Sequence, residues 1–464
     1  MEAWQKKIIV SNLDKLISAT NCTVTFLTKF QAIGVLHEDD LEVLVDRSTN
    51  IPSYVTIQPD GSKIVGLPAK KLSYRNPENT VYDIKRIIGR QITDPILNEN
   101  TKHWPFKIIE QVGVPKIQIH EKLYHPEEIL SFLLMEIKNV AESFLRRKPG
   151  SIKKAVITVP AYFTDGQRQA TIDACELAGL QVLTITNEYV AAAITYSHKK
   201  IYKKVKNGLL LDLGGGTFEA AVLQIDAEKI NVLGVDGDSC LGDLFERVIM
   251  ILKQTLKIAR LESEQIDDIM LLGGSSRIPK VREILGNYFK KRCINDSIIP
   301  DQAVAYGAAV YAAMLLGNAH DNFKLPKINN VCTMSVGTKS MTNEYFIIVH
   351  KNAIIPFKVT REYIMDNKTE LQLKIYEVDK ENPSKTSLLG NFTISGIPPA
   401  PTNEETIEVT MLINEMGIFH MEATLKGNKN RASKPLRVLQ QKNRMSKEEI
   451  RRILQKHGVK QENQ

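Results

Sequence analysis

The sequence predicts two domains of different class, an α/β domain followed by an antiparallel β domain. Between residues 155 and 213, apolar strands alternate with amphipathic segments in the order β-α-β-α-β, which is typical of α/β folds. From residue 331 to residue 436 helical periodicity is almost absent, and residues 370–376 alternate between apolar and polar with the period of two of a strand. At 464 residues, the chain is also too long for one hydrophobic core.

The elements of the first domain follow from apolar spacing and from capping residues. Strands are expected at residues 7–10, 22–30, 32–36, 41–45, 51–57, 155–159, 182–185, 208–213 and 269–272. Helices are expected over residues 126–145, 166–178, 187–193, 278–285 and 300–309. Pro126 suits a first helical turn, Thr164 or Asp165 can cap the second helix, and Gly179 can end it. Residues 199–206 are read as a basic loop.

The last third of the chain is predicted to contain a linker, a β domain and a short helix. Residues 320–330 are polar and interrupted by proline, as interdomain linkers are. Residues 407–413 and 418–424 predict a hairpin, whereas the proline-rich residues 397–401 cannot pair in a ladder. Ser446 and Glu449 form a capping box in front of a helix that carries Ile450, Ile453 and Leu454 on one face.

Composition excludes several classes of function. The formal charge of +8 is spread along the chain without an aromatic-studded basic face, so no nucleic-acid partner is expected. No run of eighteen apolar residues occurs, so no membrane span is expected. The five cysteines include no CxxC pair, which favours reduced structural thiols over a metal site. The termini show neither a signal-peptide core nor a retention signal, which predicts a cytoplasmic protein.

The stretch 208–219 is the strongest functional signal. An apolar strand leads into Asp212, then into three glycines and Thr217. Bare backbone amides can approach a phosphate closely, and a carboxylate at a strand end can hold the water shell of a phosphate-bound Mg²⁺. A glycine-rich hairpin bulge is the alternative reading. Residues 269–277 repeat the pattern of a strand that ends in paired glycines, and two such turns can hold the two ends of a nucleotide. Neither GxxxxGK[ST] nor GxGxxG occurs, so P-loop and Rossmann folds are excluded.

Five blocks of sequence resemble the Hsp70 chaperone family. They are residues 76–90, 159–163, 212–218, 273–279 and 389–401, and with the intervening text they cover most of residues 32–454. The resemblance implies an α/β actin-like (ribonuclease H-like) ATPase domain, then an antiparallel β-sandwich that binds extended apolar peptides, and then a helical stub. The implied boundaries are 1–318 for the nucleotide-binding domain, 319–330 for the linker, 331–440 for the β-sandwich and 441–464 for a truncated lid helix.

The resemblance also assigns roles to individual residues. It implies that Asp212 orders Mg²⁺ through water, that Lys70 contacts phosphate and that Glu188 lies near the attacking water. The residues implied to bind ATP or ADP are Thr28, Gly214, Gly215, Gly216 and Thr217 on the phosphate side, and Gly273, Gly274, Ser275, Ser276 and Arg277 on the adenosine side. Asp301 would support the phosphate region. Pro160 and Arg168 match an allosteric pair, although Arg168 and Asp301 also suit a surface salt bridge or a helix cap. The implied partners are unfolded or extended polypeptides, J-domain co-chaperones and nucleotide exchange factors.

Four departures from the family pattern weaken these expectations. Thr25 and Leu27 stand where the first phosphate loop needs an acid and a glycine. Between residues 242 and 243 the sequence skips most of a helical subdomain that caps adenine. The family's apolar interdomain linker is replaced by a sequence that contains Pro326 and Lys327. These two residues are therefore expected to weaken coupling between the domains. The helical lid is cut to a stub of about 20 residues, by count of the sequence.

Two functions remain open at this stage. The first is an ATP-dependent chaperone of the Hsp70 type, and the second is a non-catalytic relative that binds peptide or nucleotide without cycling. A sugar kinase of the same superfamily is excluded, because the β domain has no place in one. Losing one phosphate loop and the adenine cap removes on the order of 3–6 kcal/mol of binding energy, so weak binding and slow or absent turnover are expected. Residues 76–81 resemble the endoplasmic-reticulum paralogue and residues 103–106 the cytosolic one, and the missing signals favour the cytoplasm.

Overall fold

The computed structural model describes eighteen segments of the chain, and for those before residue 51 it describes the backbone only. These segments are 22–26, 30–37, 40–44, 51–111, 113–199, 204–214, 217–238, 244–290, 294–295, 298–300, 302–316, 326–340, 342–365, 368–379, 386–398, 405–426, 433–441 and 445–456. Among the predicted features, the strand at 7–10, Thr28, Gly215, Gly216, Asp301 and the junction at 242/243 lie outside them.

The strands occur where alternating or continuous apolar runs predict them. Those before the predicted linker are β1 Cys22–Phe26, β2 Phe30–His37, β3 Asp40–Leu44, β4 Ile51–Pro52, β5 Tyr54–Ile57, β6 Lys63–Val65, β7 Thr80–Tyr82, β8 Lys107–Gln111, β9 Val114–Ile119, β10 Lys122–Tyr124, β11 Lys154–Val159, β12 Gln181–Asn187, β13 Lys206–Leu213, β14 Phe218–Ile225, β15 Lys229–Asp238, β16 Asp268–Leu272 and β17 Ile294–Asn295. Those that follow are β18 Lys327–Val331, β19 Ser335–Lys339, β20 Tyr345–Val349, β21 Ile354–Ile355, β22 Phe357–Met365, β23 Glu370–Val378, β24 Ser387–Ser395, β25 Glu405–Ile413, β26 Phe419–Leu425 and β27 Lys434–Gln441.

The helices begin at prolines or capping residues in several cases. They are α1 Leu67–Leu72, α2 Pro95–Thr101, α3 Pro126–Phe144, α4 Asp165–Leu177, α5 Glu188–Lys199, α6 Leu244–Ala259, α7 Pro279–Tyr288, α8 Ala303–Leu315 and α9 Lys447–Lys456. Helix α4 shows the predicted signals, because Thr164 Oγ1 accepts a hydrogen bond from Gln167 N at 3.3 Å and Gly179 follows with φ of 67°. Thr164, rather than Asp165, is therefore the N-cap.

Two mixed sheets organise the first domain. The first has the order β12-β11-β1-β2-β3, with β4 beside β2, and the second begins β17-β16-β13-β14-β15. Helices α5 and α8 pack between the sheets, α3 and α4 cover the outer face of the first, and α6 and α7 cover that of the second. The predicted packing of α8 through small residues is confirmed, because a Cβ at Gly307 would lie 1.7 Å from Ala191 O of α5.

The part of the predicted linker that the structure describes, from residue 326 onward, forms a strand. Strand β18 pairs in parallel with β15, with Lys327 opposite Lys229, and then runs antiparallel to β21. Lys327 N donates a hydrogen bond to Glu228 O at 2.6 Å. Pro326 precedes the strand, where its missing N–H removes no ladder bond. Pro326 and Lys327 therefore do not prevent this segment from pairing with the first domain, and their effect on coupling of the domains stays a prediction.

The β domain is an eight-stranded antiparallel sheet with the order β20-β19-β23-β24-β27-β26-β25-β22. The predicted hairpin is confirmed, with Ile413 opposite Phe419 and Asn414 N bonded to Ile418 O at 3.0 Å. Arg361 of β22 lies over the ring of Phe346 of β20 at 5.7 Å, so the two edge strands of the sheet approach each other.

Helix α9 packs on the first domain. Its capping box is confirmed, since Glu449 N donates to Ser446 Oγ at 3.1 Å and Ser446 N donates to Glu449 Oε2 at 2.8 Å. Its apolar face meets Leu177 of α4 in a small buried cluster whose other members are Met445, Ile450, Ile453 and Leu454. Within the residues that the structure describes, no helix is long and apolar enough to cross a bilayer.

Candidate nucleotide site and interdomain contact

The two glycine turns lie side by side because their strands are neighbours. Strand β13 runs parallel to β16 with Asp212 opposite Leu272, so both strands end at the same edge of the sheet. Ser275 Oγ donates a hydrogen bond across the gap to Gly214 O at 2.7 Å. At Gly273, where φ is 75°, a Cβ would lie 2.2 Å from Leu213 O and 2.6 Å from Asp212 Oδ1. The second turn therefore fits against the first only if residue 273 lacks a side chain.

Each turn is closed by its own hydrogen bonds. In the first, Gly214 N donates to Thr217 O at 3.0 Å, and Thr217 is buried. In the second, Ser276 Oγ donates to Gly273 O at 2.7 Å. Gly274 faces open space, because a Cβ there would meet no atom within 4 Å. Arg277 ends the second turn and is exposed.

Strand periodicity points two carboxylates into the cleft between the sheets. Leu209, Leu211 and Leu213 pack toward α6 and α7, whereas Leu210 packs toward α5 and α8. Asp212 shares the face of Leu210, because side chains alternate along a strand. Glu219 of β14 is paired directly opposite Asp212 and lies on the same face.

Glu188 completes the acidic cluster from the first residue of α5. Its Oε1 accepts a hydrogen bond from Lys85 Nζ at 2.9 Å, and both side chains are 6% exposed. Glu219 Oε1 accepts a hydrogen bond from Ala161 N at 2.7 Å, whereas Glu219 Oε2 is buried without a hydrogen-bond partner in the described part of the chain. Burial and the negative charges of Glu188 and Asp212 raise the pKa of Glu219 well above its ordinary value.

Lys85 and Glu219 were missed by the sequence reasoning. Lys85 lies within the block 76–90, and Glu219 is the one acidic residue of the otherwise apolar strand Phe218–Ile225. A single acidic residue in a strand that is buried on both faces is costly unless it has a function, so this pattern could have identified Glu219 as a candidate. Lys70, which was predicted instead, lies half-buried in the last turn of α1.

The carboxylates of Asp212 and Glu219 fit a hydrated divalent cation. In the described segments, no group of three His, Cys, Asp or Glu side chains is spaced to hold a metal ion. A cation that keeps its waters, as Mg²⁺ does, needs only one or two carboxylates nearby. Asp212 and the free oxygen of Glu219 meet that requirement.

Pro160 and Arg168 lie on the path from this cleft to the β domain. Pro160 is buried directly after β11, and its carbonyl accepts a hydrogen bond from Phe163 N at 3.2 Å. Arg168 is only 3% exposed and donates to Asn187 Oδ1 at 3.0 Å and to Met416 O of the β domain at 3.3 Å. The surface salt bridge and the helix cap are therefore both excluded for Arg168.

Further polar contacts join the two domains around Arg168. Asp165 N donates to Glu377 Oε1 at 2.8 Å, and Asp165 Oδ1 accepts a hydrogen bond from Phe419 N at 2.9 Å. Lys351 Nζ lies 2.6 Å from Asp236 Oδ1 of β15. The N-terminus of α4 thus docks on both the hairpin and the sheet of the β domain.

A cavity of about 610 Å³ lies where the two domains meet. Residues of α2, β15, α6 and β24 line it, and none of the residues predicted to bind nucleotide is among the described residues of its wall. Its charged groups largely pair with one another, as in Arg90 with Asp94 at 2.6 Å and Arg247 with Asp238 at 3.2 Å.

The two glycine turns beside buried carboxylates and the docked β domain agree with the class that the sequence predicts, an ATPase-linked chaperone. The model of the family described as Hsp70 protein matches residues 27–243 and 240–464. The chain belongs to the Hsp70 family.

Curated relatives agree with this assignment. The heat shock 70 kDa proteins of Neurospora crassa and Emericella nidulans are each 32% identical over 514 aligned positions, which cover 92% of this chain and 79% of each relative. Heat shock 70 kDa protein 2 of Paracoccidioides lutzii is also 32% identical, with 78% of it covered. The predicted family and the predicted chaperone function of the Hsp70 type are confirmed, and the non-catalytic alternative is not favoured.

Membership gives the coarse architecture, an actin-like ATPase domain followed by a β-sandwich, with which the mixed sheets and the eight-stranded sheet agree. The 514 aligned positions exceed the 464 residues of the chain, so the relatives carry segments that this chain lacks.

Proposed function

We propose that this chain is an ATP-dependent chaperone whose nucleotide lies in the cleft between the two mixed sheets. The observation that carries the proposal is the contact of the two glycine turns, through Ser275 Oγ and Gly214 O, beside the carboxylates of Asp212, Glu188 and Glu219. A folded bulge of merely structural role would not need three acidic side chains at its open edge.

The first turn would hold the phosphates and the second the adenosine. Backbone amides of the triple glycine would face the phosphate oxygens, and Asp212 with Glu219 would hold Mg²⁺ through its waters. Bound Mg²⁺ supplies charge neutralisation on the phosphates. Glu188 would orient the attacking water, and the hydrogen bond from Lys85 Nζ fixes the position of that carboxylate. Lys70 would reach the phosphates from α1.

Weak binding and slow turnover are part of the proposal. Thr25 and Leu27 stand in the segment expected to form the first phosphate loop, so one set of phosphate contacts is reduced. A missing helical subdomain near 242/243 would leave adenine without its cap, which is supported by the break between the two family matches at residues 240–243. We expect a Kd for MgATP that is millimolar or weaker, since the expected loss of several hydrogen bonds would turn micromolar affinity into millimolar affinity.

The β domain would bind extended apolar segments of unfolded proteins. The exposed side chains of Phe346 on β20 and Ile364 on β22 lie on the two edge strands, where an added peptide strand can pair. J-domain co-chaperones, nucleotide exchange factors and a cytoplasmic location belong to the same proposal, and they rest on the family resemblance.

Titration calorimetry with MgATP tests the nucleotide site. We expect a single site per chain whose affinity falls at least tenfold in Asp212→Asn, because the carboxylate holds the hydrated cation. Asp226→Asn is the matched control, since Asp226 lies in an exposed turn at the far end of β14 and bonds only to its own turn. Equal affinities for the two variants would contradict the proposal.

A further inference from the structure

The junction between β12 and α5 carries a tyrosine that reaches the interdomain strand. Tyr189 follows Glu188 directly and is 1% exposed. Its hydroxyl accepts a hydrogen bond from Asn187 Nδ2 at 2.8 Å and donates one to Asn330 Oδ1 at 2.7 Å. Asn330 belongs to β18, which lies 141 residues further along the chain.

Asn187 is the branch point of this hydrogen-bonded chain. Its Oδ1 accepts a hydrogen bond from Arg168, whose guanidinium also donates to Met416 O of the β domain. Two routes therefore leave the residue next to Glu188, one through Arg168 to the β-domain hairpin and one through Tyr189 to the interdomain strand. Both Oδ1 and Nδ2 of Asn187 are engaged in hydrogen bonds, so a change in the hydrogen bonds of one route affects those of the other.

The interdomain strand is also attached to the first domain by backbone hydrogen bonds and by Ile328 and Val331, which pack in the core around α5 and α8. Its ladder with β15 spans only three residue pairs, from Lys327 to Asn329, and Asn329 Nδ2 adds one bond to Asn231 Oδ1 at 2.7 Å. After Asn329 the strand leaves β15 and pairs with β21 of the following segment. Asn330 stands at that change of partner, and its Oδ1 also accepts a hydrogen bond from Val331 N at 2.8 Å.

We propose that the Tyr189 hydroxyl is a positioning group that fastens the interdomain strand to the junction carrying Glu188. Release of the strand then requires the hydrogen bond to Asn330 to break, and loss of that bond in turn frees the start of α5. The chain of groups from Asn187 to Asn330 is neutral, so it needs no charge change to open or close. A role of this hydrogen bond in an ATP cycle rests on the proposed function, whereas its role in holding the strand in place does not.

Amide hydrogen exchange without nucleotide tests the fastening. In Tyr189→Phe we expect the amides of residues 327–331 to exchange about 3- to 10-fold faster, since one net hydrogen bond is worth about that factor. The amides of β16, on the far side of the same sheet, should keep their wild-type rates. Tyr306→Phe is the matched control, because it removes a half-buried tyrosine hydroxyl bonded to His198 Nδ1 at 3.0 Å in the same domain. It should leave residues 327–331 unchanged.

Asn330→Ala gives a second, independent variant on the strand side. It should accelerate exchange at 327–331 to a similar extent and also at the first amides of α5, because coupling is reciprocal. The double variant should add little to either single variant. Unchanged exchange at 327–331 in Tyr189→Phe, an equal rise at β16, or full additivity in the double variant would each overturn the proposal. Failure to bind MgATP would contradict the proposed function, but it would not affect the conclusion from the exchange rates, which are measured without nucleotide.

Discussion

Replacement of Gly273 by alanine tests the geometry of the two turns most sharply. The new Cβ would lie 2.2 Å from Leu213 O, whereas Cβ contacts shorter than 3.0 Å are essentially never seen, so one turn must move by roughly 1 Å. The backbone would also keep a φ of 75°, which costs an alanine about 1–2 kcal/mol. Together we expect a loss of about 2–4 kcal/mol in the free energy of unfolding.

Gly274→Ala provides the matched control one residue away. A Cβ at that position would meet nothing within 4 Å, so the free energy of unfolding should change by less than about 0.5 kcal/mol. Urea unfolding of the first domain, followed by circular dichroism, measures both effects. MgATP affinity should also fall in Gly273→Ala, because the clash displaces the carbonyl beside Asp212. Equal stability of the two variants would refute the close contact between the turns.

Three further predictions concern buried charges. Burial raises the pKa of Glu127 to about 7, above its ordinary 4.5, so the stability that its neutral form contributes is present below pH 4.5 and is lost as the pH rises to about 7. Glu127→Gln should remove up to about 3 kcal/mol of this pH dependence, and an unchanged profile in thermal melts would contradict the burial of that carboxyl. Arg168→Met should lower the free energy of unfolding by about 2–4 kcal/mol, because it leaves the Asn187 and Met416 oxygens without their donor. The two domains should then melt separately, and one shared melting transition as in the wild type would argue against the contact. Burial raises the pKa of Glu219, so binding of Mg²⁺, which favours the ionised carboxylate, should be accompanied by proton release. Affinity for Mg²⁺ should then rise with pH and calorimetric enthalpies should depend on the buffer, whereas Glu219→Gln should abolish both effects.

Sequence patterns located most elements of the first domain because local signals and burial agree there. Helix α4 begins and ends where Thr164 and Gly179 predict, and β13 is apolar on both faces because helices cover both sides of its sheet. The hairpin of the β domain and the capping box at Ser446 were likewise predicted from short-range chemistry.

Contacts between distant segments could not be predicted in the same way. Pro326 and Lys327 led to an expectation of weakened coupling between the domains, but the sequence did not show that the strand containing Lys327 is held by backbone hydrogen bonds, which do not depend on apolar side chains. Arg168 could equally be a surface residue by its place in the helix, and its burial is explained only by folded contacts, among them those with Asn187 and with Met416 of the docked β domain.

The acidic cluster shows the same limit at the site. Asp212 stands out in the sequence because glycines follow it, whereas Glu219 and Lys85 are functional candidates only once the strands and α5 meet. Single-chain periodicity says which face a residue occupies, but not what lies opposite.

The dependence of peptide affinity on bound nucleotide shows whether the cleft and the β domain are coupled. A labelled extended apolar peptide can be titrated with the chain by fluorescence anisotropy, with and without saturating MgATP, and with Asp212→Asn alongside. If the cleft binds nucleotide and the contacts through Arg168 and β18 link it to the β domain, MgATP should change the Kd of the peptide at least fivefold in the wild type and have no effect in the variant. An identical peptide Kd with and without bound MgATP would contradict the account.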